Sequence, residues 1–127
     1  MTGGDRAVAL YARLALGTAF LSAVSSRLGL WGGTWDGFEA WARSDVLAFV
    51  PSAVVPALLR LATIAELALG ALLIAGVWRR PVALAASALL AVFAVGMALS
   101  SGLKSPLDYS VLSASACALL LARVSPR

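Results

Sequence analysis

Apolar residues occupy this chain in four long segments separated by short polar breaks. The segments lie at about residues 6–28, 54–77, 81–102 and 107–122. The first three reach the roughly 20 residues that an α-helix needs to cross the hydrocarbon core of a bilayer, and tilt can accommodate the shorter fourth. We read the first segment as a retained helix and not as a signal peptide. The pattern predicts an all-α integral membrane four-helix bundle, with residues 1–127 forming a single transmembrane domain.

The long break between the first two segments has a helical pattern of its own. Apolar side chains recur at helical spacing over about residues 35–49, at Trp35, Phe38, Trp41, Ala42, Val46 and Phe49. Charged side chains fall on the other face. This pattern predicts an amphipathic helix that lies in the membrane interface. Two roles are open for it, a cap that closes and anchors the bundle or a lid over a site between the helices.

Composition agrees with a membrane location. Apolar residues make up 61% of the chain and charged residues 13%, with a mean hydropathy of +0.94, whereas soluble domains average about 25% charged residues. The net charge of +4 does not indicate a nucleic-acid partner, because the basic residues are scattered and stand near the segment ends. They are better explained by membrane orientation.

The basic residues predict which side of the membrane holds the termini. With four spans, one side carries Arg6, Arg79, Arg80, Arg123 and Arg127, and the other carries Arg27, Arg43 and Lys104. Positive charge is concentrated in cytoplasmic loops. We therefore predict a multi-pass protein with both termini in the cytoplasm.

Glu66 is the leading candidate for a functional residue, because it stands near the middle of the second apolar segment. An ionised carboxyl at that depth costs about 3 kcal/mol on insertion scales. We expect it to face a partner or a wet cavity, or to stay protonated. One candidate partner is Arg13 in the first segment, through a buried ion pair. Arg13 could instead extend to the inner interface beside a protonated Glu66, and other partners remain open.

Two groups of polar residues outline candidate binding surfaces. Thr63, Glu66 and Gly70 share one face of the second helix and would form a polar pocket wall. Further out, an outer polar cluster consists of Arg60, Lys104, Asp108 and Tyr109. Arg60 or Lys104 would pair with Asp108 there. The cluster is either an ion-paired helix cap or a site for an anion or a lipid head group.

Cysteine and histidine content limits the redox chemistry of the chain itself. Cys117 is the single cysteine and there is no histidine. The chain therefore has neither a Cys-x-x-Cys pair nor the usual ligands of zinc or haem, and no metal site is predicted. A redox role would need a diffusible cofactor or a protein partner.

The polar pattern resembles a known family. Arg13 followed by Gly17 in the first helix, Glu66 in Ala62-Thr-Ile-Ala-Glu66, and the turn Gly102-x-Lys104-x-Pro-Leu-Asp-Tyr-Ser110 resemble the DoxX family of small bacterial membrane proteins over about residues 7–122. Many members have a lysine near the outer end of the first helix, where this chain has Arg27.

The resemblance implies a four-helix protein of the bacterial cytoplasmic membrane that works as a partner of redox enzymes. We expect a subunit or accessory of a membrane redox system, with no covalently bound cofactor and with a quinone or other lipophilic molecule bound around Glu66. The alternative is a small membrane enzyme that uses Glu66 as general acid or base, assisted by Arg13, on an isoprenoid, quinone or polyketide-like substrate. A proton or solute pathway and an assembly role are further options. The expected partners are the lipid bilayer, a redox protein and, given the small polar surface, a second copy of the chain.

Overall fold

The computed structural model describes residues 2–125, and every regular element within them is helical. The elements are α1 (Gly3–Arg27), α2 (Trp35–Asp45), α3 (Val55–Ala75), α4 (Arg79–Ser101), α5 (Lys104–Asp108) and α6 (Val111–Val124). The predicted all-α class is confirmed.

Three of these helices, α1, α3 and α4, are long and apolar enough to cross a membrane, and α6 is a shorter apolar helix. Helix α1 packs along α3, and α4 packs along α6. Smaller contacts join α1 to α6 and α3 to α4, while α2 lies against α3 and α4. These lengths and compositions indicate a membrane protein.

The main core is built largely from small side chains. Ala83, Ala86 and Ala118 are completely buried where α4 meets α6, and Phe20 and Leu73 extend the cluster to α1 and α3. Small residues allow helix backbones to approach closely, which strengthens packing where no hydrophobic force drives helices together in lipid. A second hydrophobic cluster lies between α2 and the start of α3, around the buried Ala42, Val55 and Leu59.

Gly17 and Gly70 mark the closest approach of α1 to α3. A Cβ atom on Gly17 would lie 2.9 Å from the Gly70 carbonyl oxygen and 2.6 Å from Cγ1 of Ile74. A Cβ atom on Gly70 would lie 3.1 Å from the Gly17 carbonyl oxygen. This contact sets the register between the two helices.

Helix α1 begins earlier than the predicted residue 6 because its first turn is capped. The Thr2 hydroxyl accepts a hydrogen bond from the Asp5 amide at 3.1 Å, and the Asp5 carboxylate accepts one from the Thr2 amide at 3.1 Å. This reciprocal capping box satisfies two backbone donors that the start of a helix leaves free.

Helix α2 ends at Asp45, so the predicted extent to residue 49 is wrong. At Val46 the backbone leaves helical geometry, with φ −129°. The end of α4 binds the chain on either side of this point. The Ser101 hydroxyl donates to the Asp45 carbonyl at 3.0 Å, and the Ser100 hydroxyl accepts from the Ala48 amide at 3.1 Å.

The fourth predicted membrane-spanning helix, residues 107–122, begins too early, because α6 starts at Val111. The preceding break is itself partly helical, as α5, and the chain turns before α6 begins at Val111. Ser110 has a φ of 58°, in the left-handed region that breaks a helix. Helix α6 then continues to Val124. The predicted second and third spans differ from α3 and α4 by only one or two residues at each end.

Candidate functional site

An ion pair between Arg27 and Glu66 is the centre of the candidate site. Nη1 of Arg27 donates a hydrogen bond to Oε2 of Glu66 and another, of 2.9 Å, to the Thr63 hydroxyl. The Arg27 side chain is 10% exposed and the Glu66 side chain 4%. The guanidinium carbon also lies 3.9 Å from the centre of the Phe38 ring, at a distance typical of a cation–π contact.

Three helices bring these groups together. Thr63 and Glu66 are one turn apart on α3, so both side chains point toward α1. Helix α1 runs antiparallel to α3 and ends at Arg27, beside the middle of α3. Phe38 comes from α2, and its ring lies over the guanidinium. The predicted shared face of Thr63, Glu66 and Gly70 is thus the face that contacts α1.

The expected pairing of Arg13 with Glu66 is wrong. Nε of Arg13 donates to the Leu73 carbonyl at 3.0 Å, and Nη2 donates to the Ile74 carbonyl at 3.3 Å. The close approach of Gly17 to Gly70 explains this. Arg13 lies one helical turn before Gly17 on α1, and because the two helices are antiparallel it contacts the C-terminal end of α3. Ile74 is eight residues from Glu66, or about 12 Å along the helix. Arg13 therefore stabilises the last carbonyl groups of α3.

Sequence reasoning missed Arg27 as the partner of Glu66, although a signal was present. Leu16, Phe20 and Val24 are the buried side chains along one face of α1. Arg27 continues this series at a spacing of three residues, so it lies on the buried face. The charge pattern alone instead places Arg27 outside the membrane, near the position of the lysine in the resembled family.

A large cavity adjoins the ion pair. Its volume is about 850 Å³, within the range of ligand-binding pockets, and α2, α3 and α4 supply most of its lining. Most of the lining is apolar, including Leu59, Ala65 and Met97. Leu61 of α3 and Val92 of α4 also line it and are exposed on the outer surface. The cavity therefore opens sideways, toward the position that lipid would occupy around membrane-spanning helices.

Few polar groups reach this cavity. Arg27 and Glu66 form part of its wall, together with Trp41 and Tyr109. The rings of Trp41 and Tyr109 meet edge to face, with centroids 6.0 Å apart. Nε1 of Trp41 is buried and has no hydrogen-bond partner among residues 2–125.

The predicted outer polar cluster is not one site. Lys104 binds both carboxylate oxygens of Asp108 at 2.8 Å, one helical turn apart on the exposed α5. Arg60 is exposed and forms no ion pair within the part of the chain that the structure describes, so the alternative pairing with Asp108 is not formed. Of this cluster, Tyr109 alone lines the cavity. Arg13, Arg60, Lys104 and Asp108 lie outside the lining.

Comparison of the chain with protein families, with curated proteins and with solved structures yields no significant match.

The site combines an apolar space with a small set of directional polar groups. Ion pairing neutralises the charge of Arg27 and Glu66 at the wall. The two hydrogen bonds of the guanidinium both come from Nη1, which leaves Nε and Nη2 without a partner among residues 2–125. Such an arrangement can accept a hydrophobic molecule and orient its polar end.

Proposed function

We propose that this protein is a multi-pass protein of the bacterial cytoplasmic membrane that binds a lipophilic molecule in the cavity beside Arg27 and Glu66. In this proposal α1, α3, α4 and α6 span the bilayer as a four-helix bundle with both termini in the cytoplasm. Helix α2 then lies in the opposite interface, over the cavity. The main support for this proposal is the sideways opening between α3 and α4, because a molecule dissolved in the bilayer could enter through it without crossing water.

We further propose that the bound molecule is a quinone and that the protein is a subunit or accessory of a membrane redox system, as in the DoxX family that it resembles. The groups present fit such a ligand. The apolar lining suits a ring and a hydrocarbon tail. The chain has no histidine and one cysteine, so electrons would come from a partner protein.

An enzyme is the second candidate, favoured by the position of the Glu66 carboxylate on the cavity wall. There Glu66 would be general acid or base toward a lipophilic substrate. The ion pair with Arg27 weighs against this role, because it holds the carboxylate in a fixed, charge-compensated position.

Mass spectrometry of the gently purified protein tests these functions. We would compare the wild-type protein with Ala65→Phe, which adds a phenyl ring at the cavity wall, and with Ala68→Phe, which places the same ring on an exposed position of α3 outside the lining. Retention of a quinone by the wild type and Ala68→Phe, and its loss from Ala65→Phe, would support the proposal. A copurified cofactor-bearing protein would support the redox role.

Two other results are informative. Equal amounts of ordinary phospholipid in all three proteins, with no other molecule, would contradict the proposal. A different lipophilic metabolite without a protein partner would favour the enzyme. In that case Glu66→Gln should abolish conversion of the metabolite while the protein still folds and binds it.

A further inference from the structure

Two arginines from different helices converge on the turn between α3 and α4. Arg13 of α1 donates hydrogen bonds to the Leu73 and Ile74 carbonyls at the end of α3. Nε of Arg79, the first residue of α4, donates to the Gly76 carbonyl at 3.3 Å. The Arg13 guanidinium also lies against Gly76, since a Cβ atom there would come within 2.9 Å of Cζ of Arg13. Both guanidinium groups therefore flank the same residue.

These two like charges have no acidic partner within residues 2–125. The ion pairs of that range involve Arg27, Arg43 and Lys104, and neither Arg13 nor Arg79 takes part. Helix dipoles do not supply the missing charge, because the end of α3 contributes about −0.5 of an elementary charge and the start of α4 about +0.5. In the same range, Nη1 of Arg13 and both Nη atoms of Arg79 donate no hydrogen bond. The turn thus combines two uncompensated positive charges with free donors.

Exposed apolar side chains indicate that this turn lies at the surface of the bilayer. It joins α3 to α4, both of which are long enough to span a membrane. Trp78, directly before Arg79, is 70% exposed, and Val77 is also exposed. The backbone of Trp78 is left-handed, with φ 46°, which is uncommon for a bulky residue. Tryptophan is enriched at the level of the lipid head groups, so an anion bound here would lie among those groups.

We propose that Arg13 and Arg79 bind the phosphate of an anionic phospholipid, with the Trp78 indole beside the lipid backbone. Guanidinium groups bind phosphate oxygens through paired, charge-assisted hydrogen bonds. A lipid with net negative charge supplies the counter-charge that the turn lacks, whereas the ammonium group of phosphatidylcholine cancels the charge of its own phosphate. Neither arginine lines the cavity beside Arg27 and Glu66, so this site does not depend on the proposed function.

Two lipids that differ only in head group test the proposal on the whole protein. Native mass spectrometry of the delipidated protein would measure binding of dioleoylphosphatidylglycerol and dioleoylphosphatidylcholine. The variants are Arg79→Gln and, as the matched control, Arg60→Gln. Arg60 is an exposed arginine of α3 without an ion pair in the described range, so its loss changes the net charge equally. The Nε–H resonances of arginine in the ¹⁵N-labelled wild type provide a second readout.

We expect the wild type to bind phosphatidylglycerol roughly tenfold more tightly than phosphatidylcholine. Arg79→Gln should remove most of that preference, since it loses charge-assisted hydrogen bonds to the phosphate. Arg60→Gln should retain the preference. In the wild type, phosphatidylglycerol should shift the Arg13 and Arg79 resonances and leave that of Arg60 in place. These resonances decide the matter even if Arg79→Gln fails to fold.

Three results would overturn the proposal. The first is equal binding of the two lipids by the wild type, with no shift of the Arg13 and Arg79 resonances. The second is an equal loss of preference in Arg79→Gln and Arg60→Gln, which would show attraction to net charge without a defined site. The third is displacement of phosphatidylglycerol by inorganic phosphate at equal concentration, which would make the turn a site for a free anion and not for a lipid.

Discussion

Arg27, the last residue of α1, pairs with Glu66 in the middle of α3, and both side chains are almost completely buried. The pair accounts for a carboxylate within an apolar helix, because the guanidinium supplies the hydrogen bond and the counter-charge that lipid cannot. It also borders the cavity. The same contact therefore fixes the packing of α1 on α3 and forms one wall of the candidate site.

Removing Arg27 alone should be strongly destabilising. Arg27→Met leaves Glu66 buried without its partner, and we expect the free energy of unfolding to fall by about 3 kcal/mol, the cost of an uncompensated acidic group at this depth. Unfolding by sodium dodecyl sulfate from dodecylmaltoside micelles measures this change.

The double variant Arg27→Met/Glu66→Gln provides the control, because it removes both charges. Its free energy of unfolding should recover to within about 1 kcal/mol of the wild type, since buried ion pairs are often replaceable by neutral groups. If the two single changes simply add in the double variant, the residues are not energetically coupled and the ion pair is not the stabilising contact.

Arg13 should behave as an independent stabilising residue. Arg13→Met loses the hydrogen bonds to the Leu73 and Ile74 carbonyls, so we expect a loss of about 1–2 kcal/mol. Combination with Glu66→Gln should give an additive change in the same unfolding titration. Coupling of 1 kcal/mol or more between Arg13 and Glu66 would instead support the pairing that the structure contradicts.

Sequence patterns were sufficient for the fold class and for the central acidic residue, but not for its partner. The apolar runs around Glu66 identify a helix of spanning length, which α3 confirms. The choice between Arg13 and Arg27 depends on the register of α1 against α3. That register follows from a single close contact between Gly17 and Gly70. Periodicity places both arginines on the inner face of α1 and does not determine which of them lies beside Glu66.

The cavity and the break before α6 were also beyond sequence reasoning, for a related reason. The cavity forms because α2 lies against α3 and α4, and its volume depends on how three helices meet. The pattern over residues 35–49 identified the aromatic face that includes Trp41, yet it could not distinguish a satisfied indole from an unpartnered one. Helix α5 has only five residues, which are too few to establish a periodicity, so its sequence indicates a polar break and not a helix.

The Gly17 contact should tolerate no side chain. Gly17→Ala places a methyl group within 2.6 Å of Ile74 and 2.9 Å of the Gly70 carbonyl oxygen. Despite the better helix propensity of alanine, we expect a net loss of about 1–2 kcal/mol from the displaced helices. The matched control is Gly3→Ala in the same helix, where a Cβ meets nothing within 4 Å. Equal unfolding curves for the two variants would contradict the close approach of α1 to α3.

The Lys104–Asp108 pair should contribute little, in contrast to Arg27–Glu66. Their side chains are 83% and 57% exposed, and exposed pairs one turn apart on a helix stabilise by about 0.3–0.5 kcal/mol at most. Lys104→Ala should leave the unfolding midpoint unchanged, together with any binding of the proposed quinone. A large loss of binding with retained folding would instead favour the earlier hypothesis that this outer region holds an anion or a head group.

Phe38 should contribute more to stability when Arg27 is present than when it is absent. Phe38→Leu keeps an apolar side chain but removes the ring whose centre lies 3.9 Å from the guanidinium carbon, so we expect a loss of about 1 kcal/mol from the cation–π contact and the ring packing. In the Arg27→Met background the cation is gone, and the same change should cost measurably less in the unfolding titration. If Phe38→Leu costs the same in both backgrounds, the ring acts by packing alone, and the order of the Arg27 side chain does not depend on α2.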